Sequence, residues 1–241
     1  MSNMRVLAIE SSAVTASVAI LTDDIVTAEY TINYKKTHSQ TLLPMIDQIC
    51  AMTETKPDSF DLIGVSVGPG SFTGLRIGAA TAKGIALANN IPVAAVPTLE
   101  AMAYNYAGTD VYVCTVMDAR RNHVYGAVYH FEGDKLVCDI EKGLYSDADM
   151  IERLNQLGKN VVIMGDGIAV IDKAKEDITC GYTYAAPNMN TQRAASVAVL
   201  AVQMYNAGKS VDGSRVVPDY IRPSQAEREL EASHVQYKTY D

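Results

Sequence analysis

Apolar positions along this chain change their period several times, and each change marks an element. Short apolar runs at 6–9 and 17–21 predict two strands joined by a small, polar turn over 10–15. A third strand with weaker alternation follows at 26–34. The period then switches, and Leu42, Met45, Ile46, Ile49 and Met52 recur on one stripe of a helix over 39–52. Pro44 falls near its first turn, where a missing N–H is tolerated. Next come a buried strand at 62–67, a glycine-rich turn, and an alanine-rich helix from about 73 to 89. A strand at 93–96 lies between two prolines, and a helix from 98 to about 106 takes Thr98 as its N-cap.

The pattern then begins again. Strands are predicted at 111–117, 123–131 and 135–140, and a helix at 150–157. A strand at 161–164 closes on Gly165-Asp166-Gly167, and a short helix covers 169–175. Glu10 and Asp118 stand at equivalent places in the two opening hairpins. Recurring βββαβα halves predict a duplicated, two-lobed α/β fold rather than one doubly wound sheet. The expected N-terminal lobe is 1–107, completed by about 208–241, and the C-terminal lobe is 108–207. The helix at 196–207 places Val197, Leu200, Ala201 and Met204 on one face. From Asp219 the tail is charged, contains Pro223 and reads as loosely ordered.

Composition narrows the function. With 241 residues the chain can bury a substantial core as one large domain or two small ones. Twenty Lys and Arg against 28 Asp and Glu give a net charge of −8, and no basic run exceeds two residues. A clustered positive face is needed to hold nucleic acid unaided, so autonomous binding to tRNA or DNA is disfavoured. Cys50, Cys114, Cys138 and Cys180 are widely spaced without a CxxC pair, which predicts reduced thiols. The first apolar run is too short for a signal sequence, and the apolar window 77–96 is broken by Lys83, Asn89, Asn90 and Pro92. The expectation is a soluble, cytoplasmic protein without a membrane span.

The candidate chemistry centres on Gly68-Pro69-Gly70-Ser71-Phe72-Thr73-Gly74. A glycine-rich turn between a strand and a helix start can aim backbone N–H groups at an anion. It lacks both the Gly-Lys-Ser/Thr ending and the GxGxxG spacing. Glu10 and Asp118 read either as turn acids bonding local backbone or as acids placed around phosphates and magnesium. Candidate nucleotide or anion contacts are therefore Glu10, Gly68, Gly70, Ser71, Thr73 and Asp118. Ser71 reads first as a helix N-cap and only second as a nucleophile, and Arg120 and Arg121 read first as surface ion-pair partners. His38, His123, His130 and His234 never pair at i+4, so no metal site is expected. Gly74, Gly78, Ala82 and Ala86 recur at i+4 and form a ridge that another helix can approach closely. Packing inside the chain is the default reading of that ridge; with Leu42, Met45, Ile46 and Ile49 it also makes the candidate partner face.

Three segments carry a resemblance. Leu7-Ala8-Ile9-Glu10-Ser11-Ser12, His38-Ser39-Gln40-Thr41-Leu42-Leu43-Pro44 and the run from Val67 to Gly78 resemble the bacterial TsaB (YeaZ) family. Ile91-Pro92-Val93, Met117-Asp118-Ala119-Arg120-Arg121 and Pro218-Asp219-Tyr220-Ile221-Arg222 are also similar to it. Glu10 departs from it, since the family more often has Asp there. The resemblance implies an actin/sugar-kinase-like (ASKHA) fold and a role in forming N6-threonylcarbamoyladenosine at position 37 of ANN-decoding tRNAs. In that family catalysis belongs to a paralogue, TsaD, through a metal-binding His-x-x-x-His motif; here Thr98 and Met102 stand at those positions. Neither replaces an imidazole. The resemblance therefore implies a non-catalytic partner that dimerises with TsaD through its N-terminal lobe and is joined by the ATPase TsaE. It also implies a homodimer through the same face without TsaD, tRNA reached only through the complex, and ATP or ADP at the subunit junction. The competing expectation is a nucleotide-binding ATPase or kinase-like enzyme using Glu10, Asp118 and Gly165-Asp166-Gly167.

Overall fold

The apolar run Arg5–Glu10 forms β1, and every residue after Arg5 is buried because helices cover both faces of its sheet. These and the following features come from a computed structural model, which describes residues 4–222. Pro223, His234 and the rest of the expected tail lie outside the described residues. β2 (Thr15–Thr22) and β3 (Ile25–Asn33) continue β1 as an antiparallel meander. β4 (Leu62–Gly68) and β5 (Val93–Pro97) add parallel strands on the other side, giving the order β3-β2-β1-β4-β5.

α1 (His38–Met52) and α2 (Phe72–Asn89) cover one face of this sheet. Leu42, Met45, Ile46 and Ile49 meet Leu7, Ile9, Val18 and Ile20 there, with Ala79, Ala82 and Ala86 in the same cluster. α2 opens at Ser71, whose side chain accepts the Gly74 N–H as a helix N-cap, and closes at left-handed Asn90. α3 (Thr98–Ala103) follows β5. Its N-cap is Pro97, not Thr98, and the buried Thr98 hydroxyl has no hydrogen-bond partner among the described residues.

The second sheet repeats the first. β6 (Tyr112–Asp118), β7 (His123–Glu132) and β8 (Lys135–Ser146) form a meander, and β9 (Val161–Met164) runs parallel to β6. The three-residue β10 (Tyr182–Tyr184), which no sequence signal marked, completes the order β10-β9-β6-β7-β8. β6 thus takes the place of β1, and the duplicated two-lobed α/β architecture is the expected actin/sugar-kinase type. α4 (Asp147–Leu157) starts with a Ser146/Asp149 capping box, and α5 (Ile168–Ile171) is a single turn.

The last helix, α6 (Ala194–Asn206), corrects the expected lobe limits. Placed by sequence in the lobe 108–207, it instead lays Val197, Ala198, Leu200 and Ala201 on Val6, Ala8, Leu62, Ala94 and Val96 of the first sheet. Gly64 in β4 permits this approach: a Cβ there would lie 2.8 Å from the Ala201 Cβ. The chain then stays on the first lobe, where Val211 bridges to Val93 and Val216 joins the α1–α2 core. Among the described residues, no helix is long and apolar enough to cross a membrane.

Candidate functional site

Strand ends of both sheets meet at a cleft of 580 Å³ between the lobes. Its walls are the β1–β2 turn at Ala13 and Val14, the Pro69–Thr73 loop, the turn from Asp118 to Arg121, Asp166 after β9, and residues 219–222. Of the six candidate anion contacts, Gly70, Ser71, Thr73 and Asp118 line it, whereas Glu10 and Gly68 do not.

Glu10 points away from the cleft into the first lobe and is 1% exposed. Its Oε1 accepts the Ser12 N–H and hydroxyl, both at 2.6 Å, and its Oε2 accepts the Ser66 hydroxyl. The carboxylate thus ties the end of β1 to its own turn and to β4. Burial raises its pKa, against the lowering effect of the serine bonds. Of the two readings of this acid, the structure shows the local one.

The glycine-rich loop is likewise turned inward. The Ser71 N–H donates to Ser12 O at 2.6 Å and the Gly74 N–H to Ser71 Oγ at 3.3 Å. Gly70 packs so tightly on the β1–β2 turn that a Cβ would lie 2.4 Å from Ser12 O. Gly68, at φ +132°, leaves room for the Asp219 carbonyl, 2.3 Å from where a Cβ would stand. The Ser71 and Gly74 N–H groups are thus engaged within the chain, and Pro69 has none.

Asp118 closes its own turn. Its Oδ1 accepts the Arg120 N–H at 2.7 Å, and its Oδ2 pairs with the Arg120 guanidinium at 3.2 Å. That turn carries three successive left-handed residues, Arg120, Arg121 and Asn122, at φ 66°, 56° and 58°. Asp166, which sequence reading gave only a secondary part, receives the Asp118 N–H at 3.4 Å. The surrounding cleft walls desolvate the Asp166 carboxyl and, with the Asp118 charge adding to the effect, push it up to about 6. A raised carboxyl pKa means the folded state holds the proton more tightly than the unfolded chain. Stability from this group is therefore complete below about pH 4 and lost as the pH rises through about 6. Asp166→Asn is expected to flatten the melting-temperature profile between those pH values; an unchanged slope removes Asp166 as its source.

The segment after Pro218, expected to be loose, is docked across the cleft. Tyr220 stacks on Phe72 at 4.7 Å, and its hydroxyl accepts from Arg76 Nε at 3.1 Å. Asp219 pairs with Lys142 of β8, and Arg222 donates to Ala119 O at 3.2 Å. These contacts strap the two lobes together. Their partners lie far away in sequence, so only the aromatic and charged character of the segment could have signalled them. Asp118, Asp166 and Asp219 line the cleft beside Arg120, Arg121 and Arg222, and of these arginines Arg120 is paired with Asp118.

The eight residues expected at a partner face are a second correction. Leu42, Met45, Ile46, Ile49, Gly74, Gly78, Ala82 and Ala86 are all buried within the chain. Gly74 and Gly78 press on Ser11, where a Cβ would lie 2.1 Å and 2.3 Å from its oxygens. Small residues at i+4 serve close packing, and here the neighbour is the chain's own β1–β2 turn. The outward sides of the same helices carry Leu43 and Met52 on α1 and Ala80, Gly84 and Leu87 on α2. Thr98 and Met102 are also buried, Met102 against Leu99, Met117 and Met164. Among the described residues, no three His, Cys, Asp or Glu side chains converge on a metal position.

Comparison with known proteins gives a family and a fold. The family model for TsaD, tRNA N6-adenosine threonylcarbamoyltransferase, matches residues 26–230. The tRNA threonylcarbamoyladenosine biosynthesis protein TsaB of Bacillus subtilis is 32% identical, the match covering 93% of this chain and 96% of that protein. Its namesake in Escherichia coli is 31% identical, over 94% and 98% respectively. A crystal structure from Pseudomonas aeruginosa of a protein similar to the peptidase YeaZ superposes with a TM-score of 0.78 at 23% identity, over 91% of this chain and all of that one.

Proposed function

The chain belongs to the TsaD family of tRNA N6-adenosine threonylcarbamoyltransferases, in its TsaB branch, and from this we propose that it acts in threonylcarbamoyladenosine formation as a non-catalytic partner. The observation that carries the non-catalytic part is the setting of Thr98 and Met102. A hydroxyl and a thioether, both buried, fill the positions where the resemblance puts the catalytic paralogue's metal-binding histidines. The chain's role is then to associate with TsaD in the cytoplasm. The outward side of α1 and α2 is the surface for that contact, because it is the only side of those helices left uncovered among the described residues. The same side serves a homodimer when TsaD is absent. TsaE joins the assembled pair, and tRNA is met through the complex, in keeping with the chain's net negative charge. Any ATP or ADP sits at the subunit junction, as the resemblance implies.

Reconstitution tests this reading. TsaD, TsaE, the threonylcarbamoyl-adenylate synthase, tRNA, threonine, bicarbonate and ATP are expected to yield modified tRNA only when this chain is added. Equal modification without it defeats the proposal. ATP turnover by the isolated chain that disappears in Asp118→Asn would replace it with the kinase-like reading.

A further inference from the structure

A second cavity, of 390 Å³, opens where α3, the β7–β8 hairpin and α6 meet, and no part of the tRNA reading uses it. Glu100, Tyr104, Tyr129, Glu141, Lys142 and Gln203 are among the side chains lining it. Two of these are left wanting a partner. Tyr129 is 3% exposed, lines the cavity, and makes no hydrogen bond to any described residue. A phenol buried this deeply ordinarily finds a partner. Glu100 is half-buried on α3 with neither a hydrogen bond nor a direct ion pair among the described residues. Burial raises its carboxyl pKa; Lys142 and Lys209 oppose this from a distance and Glu141 adds to it.

Two further polar contacts are already made within the chain. The Tyr104 hydroxyl donates to Gln203 Oε1, and the Lys142 ammonium is paired with Asp219. What remains is mostly acceptor capacity, namely a carboxylate, a phenol oxygen and the further acids Asp134 and Glu141, against the single ammonium of Lys135. The walls between them are apolar or aromatic, from Leu136, Leu200 and the Tyr104 ring. An anion would face three acids, Glu100, Asp134 and Glu141, against one lysine outside an ion pair, Lys135, and a neutral ligand would leave that excess of negative charge uncompensated.

We propose that this cavity binds a small aliphatic ammonium ion, of the size and kind of a diamine. One ammonium group donates to the Glu100 carboxylate and the Tyr129 oxygen, the methylenes lie along the Tyr104 ring and the two leucines, and a second ammonium reaches Asp134 or Glu141 at the rim. This inference does not rest on the TsaD partnership and fails or stands separately from it.

Calorimetric titration of the full chain with putrescine tests the proposal, with 1,4-butanediol as the uncharged control of the same length. Putrescine is expected to bind at one saturable site and the diol not to bind. Glu100→Gln should weaken putrescine by about tenfold or more, as loss of a charged hydrogen-bond partner does, and Tyr129→Phe by a smaller factor. Both variants are checked for native circular dichroism. Glu100→Gln removes an unpaired charge, so it is expected to fold. Absence of saturable putrescine binding, equal affinity for the diol, or undiminished affinity in folded Glu100→Gln each overturns the assignment.

Discussion

Gly84→Glu leaves the isolated chain folded and abolishes its co-purification with TsaD. Gly84 lies inside α2 with nothing within 4 Å of the position a Cβ would take, so the longer side chain meets only solvent in the free protein. Replacing glycine within a helix removes a penalty of about 0.5 to 1 kcal/mol. For a chain of this length that raises the melting temperature by roughly 2 °C. Docking another helix against that face would strip water from the new carboxylate, and an unpaired buried charge costs about 3 kcal/mol or more, over a hundredfold in affinity. Ala82→Glu supplies the contrast. Ala82 is fully buried against the first sheet, so the same charge there should unfold the lone chain. Pull-down with tagged TsaD, beside thermal melts of both variants, separates the two faces. Full retention of Gly84→Glu on TsaD moves the contact off α2.

Glu10→Ala is expected to cost about 3 kcal/mol or more, since hydrogen bonds to an ionised group are worth about 1.5–3 kcal/mol each and buried donors lose their acceptor. At about 2–4 °C per kcal/mol for a chain of this size, the melting temperature falls by roughly 10 °C. The loss comes from Ser12 and Ser66, whose buried donors are left without an acceptor. Glu10→Gln is milder, because one amide oxygen remains and the Ser66 hydroxyl can turn to accept from the amide. The pH trend carries a sign. Burial raises the Glu10 pKa in the fold, so its contribution is greatest below the ordinary value near 4.5 and declines as the pH rises. The gap between native protein and Glu10→Gln should therefore be wider at acid than at neutral pH. A melting temperature unaffected by Glu10→Ala would show that the carboxylate does not hold the turn.

The repeat of βββαβα halves, the α1 stripe and the Ser71 cap were all legible in the chain, because periodicity and capping chemistry are local signals. Direction was not. The ridge from Gly74 to Ala86 has the composition of a close helix contact whether the neighbour is another protein or Ser11 of the same chain. Likewise, a turn acid flanked by serines does not declare whether it faces solvent or is folded under, as Glu10 is. The docking of Asp219 and Tyr220 depends on Lys142 and Arg76, 77 and 144 residues away, which no window of sequence brings together. α6 escaped its lobe for a related reason: its alanine-rich surface suits either sheet, and the first is selected by the gap at Gly64 and by Ser17 and Glu29, which accept the Ala194 and Ala195 N–H groups.

The placement of α6 bears on how the protein is made. During synthesis the first sheet emerges early, yet its second apolar face, with Val6, Ala8, Leu62, Ala94 and Val96, stays bare until residues 194–206 have left the ribosome. By then the whole second lobe has been translated. The N-terminal lobe is thus the first to begin folding and the last to finish, and a fragment ending after its own strands would carry that uncovered face into aggregation.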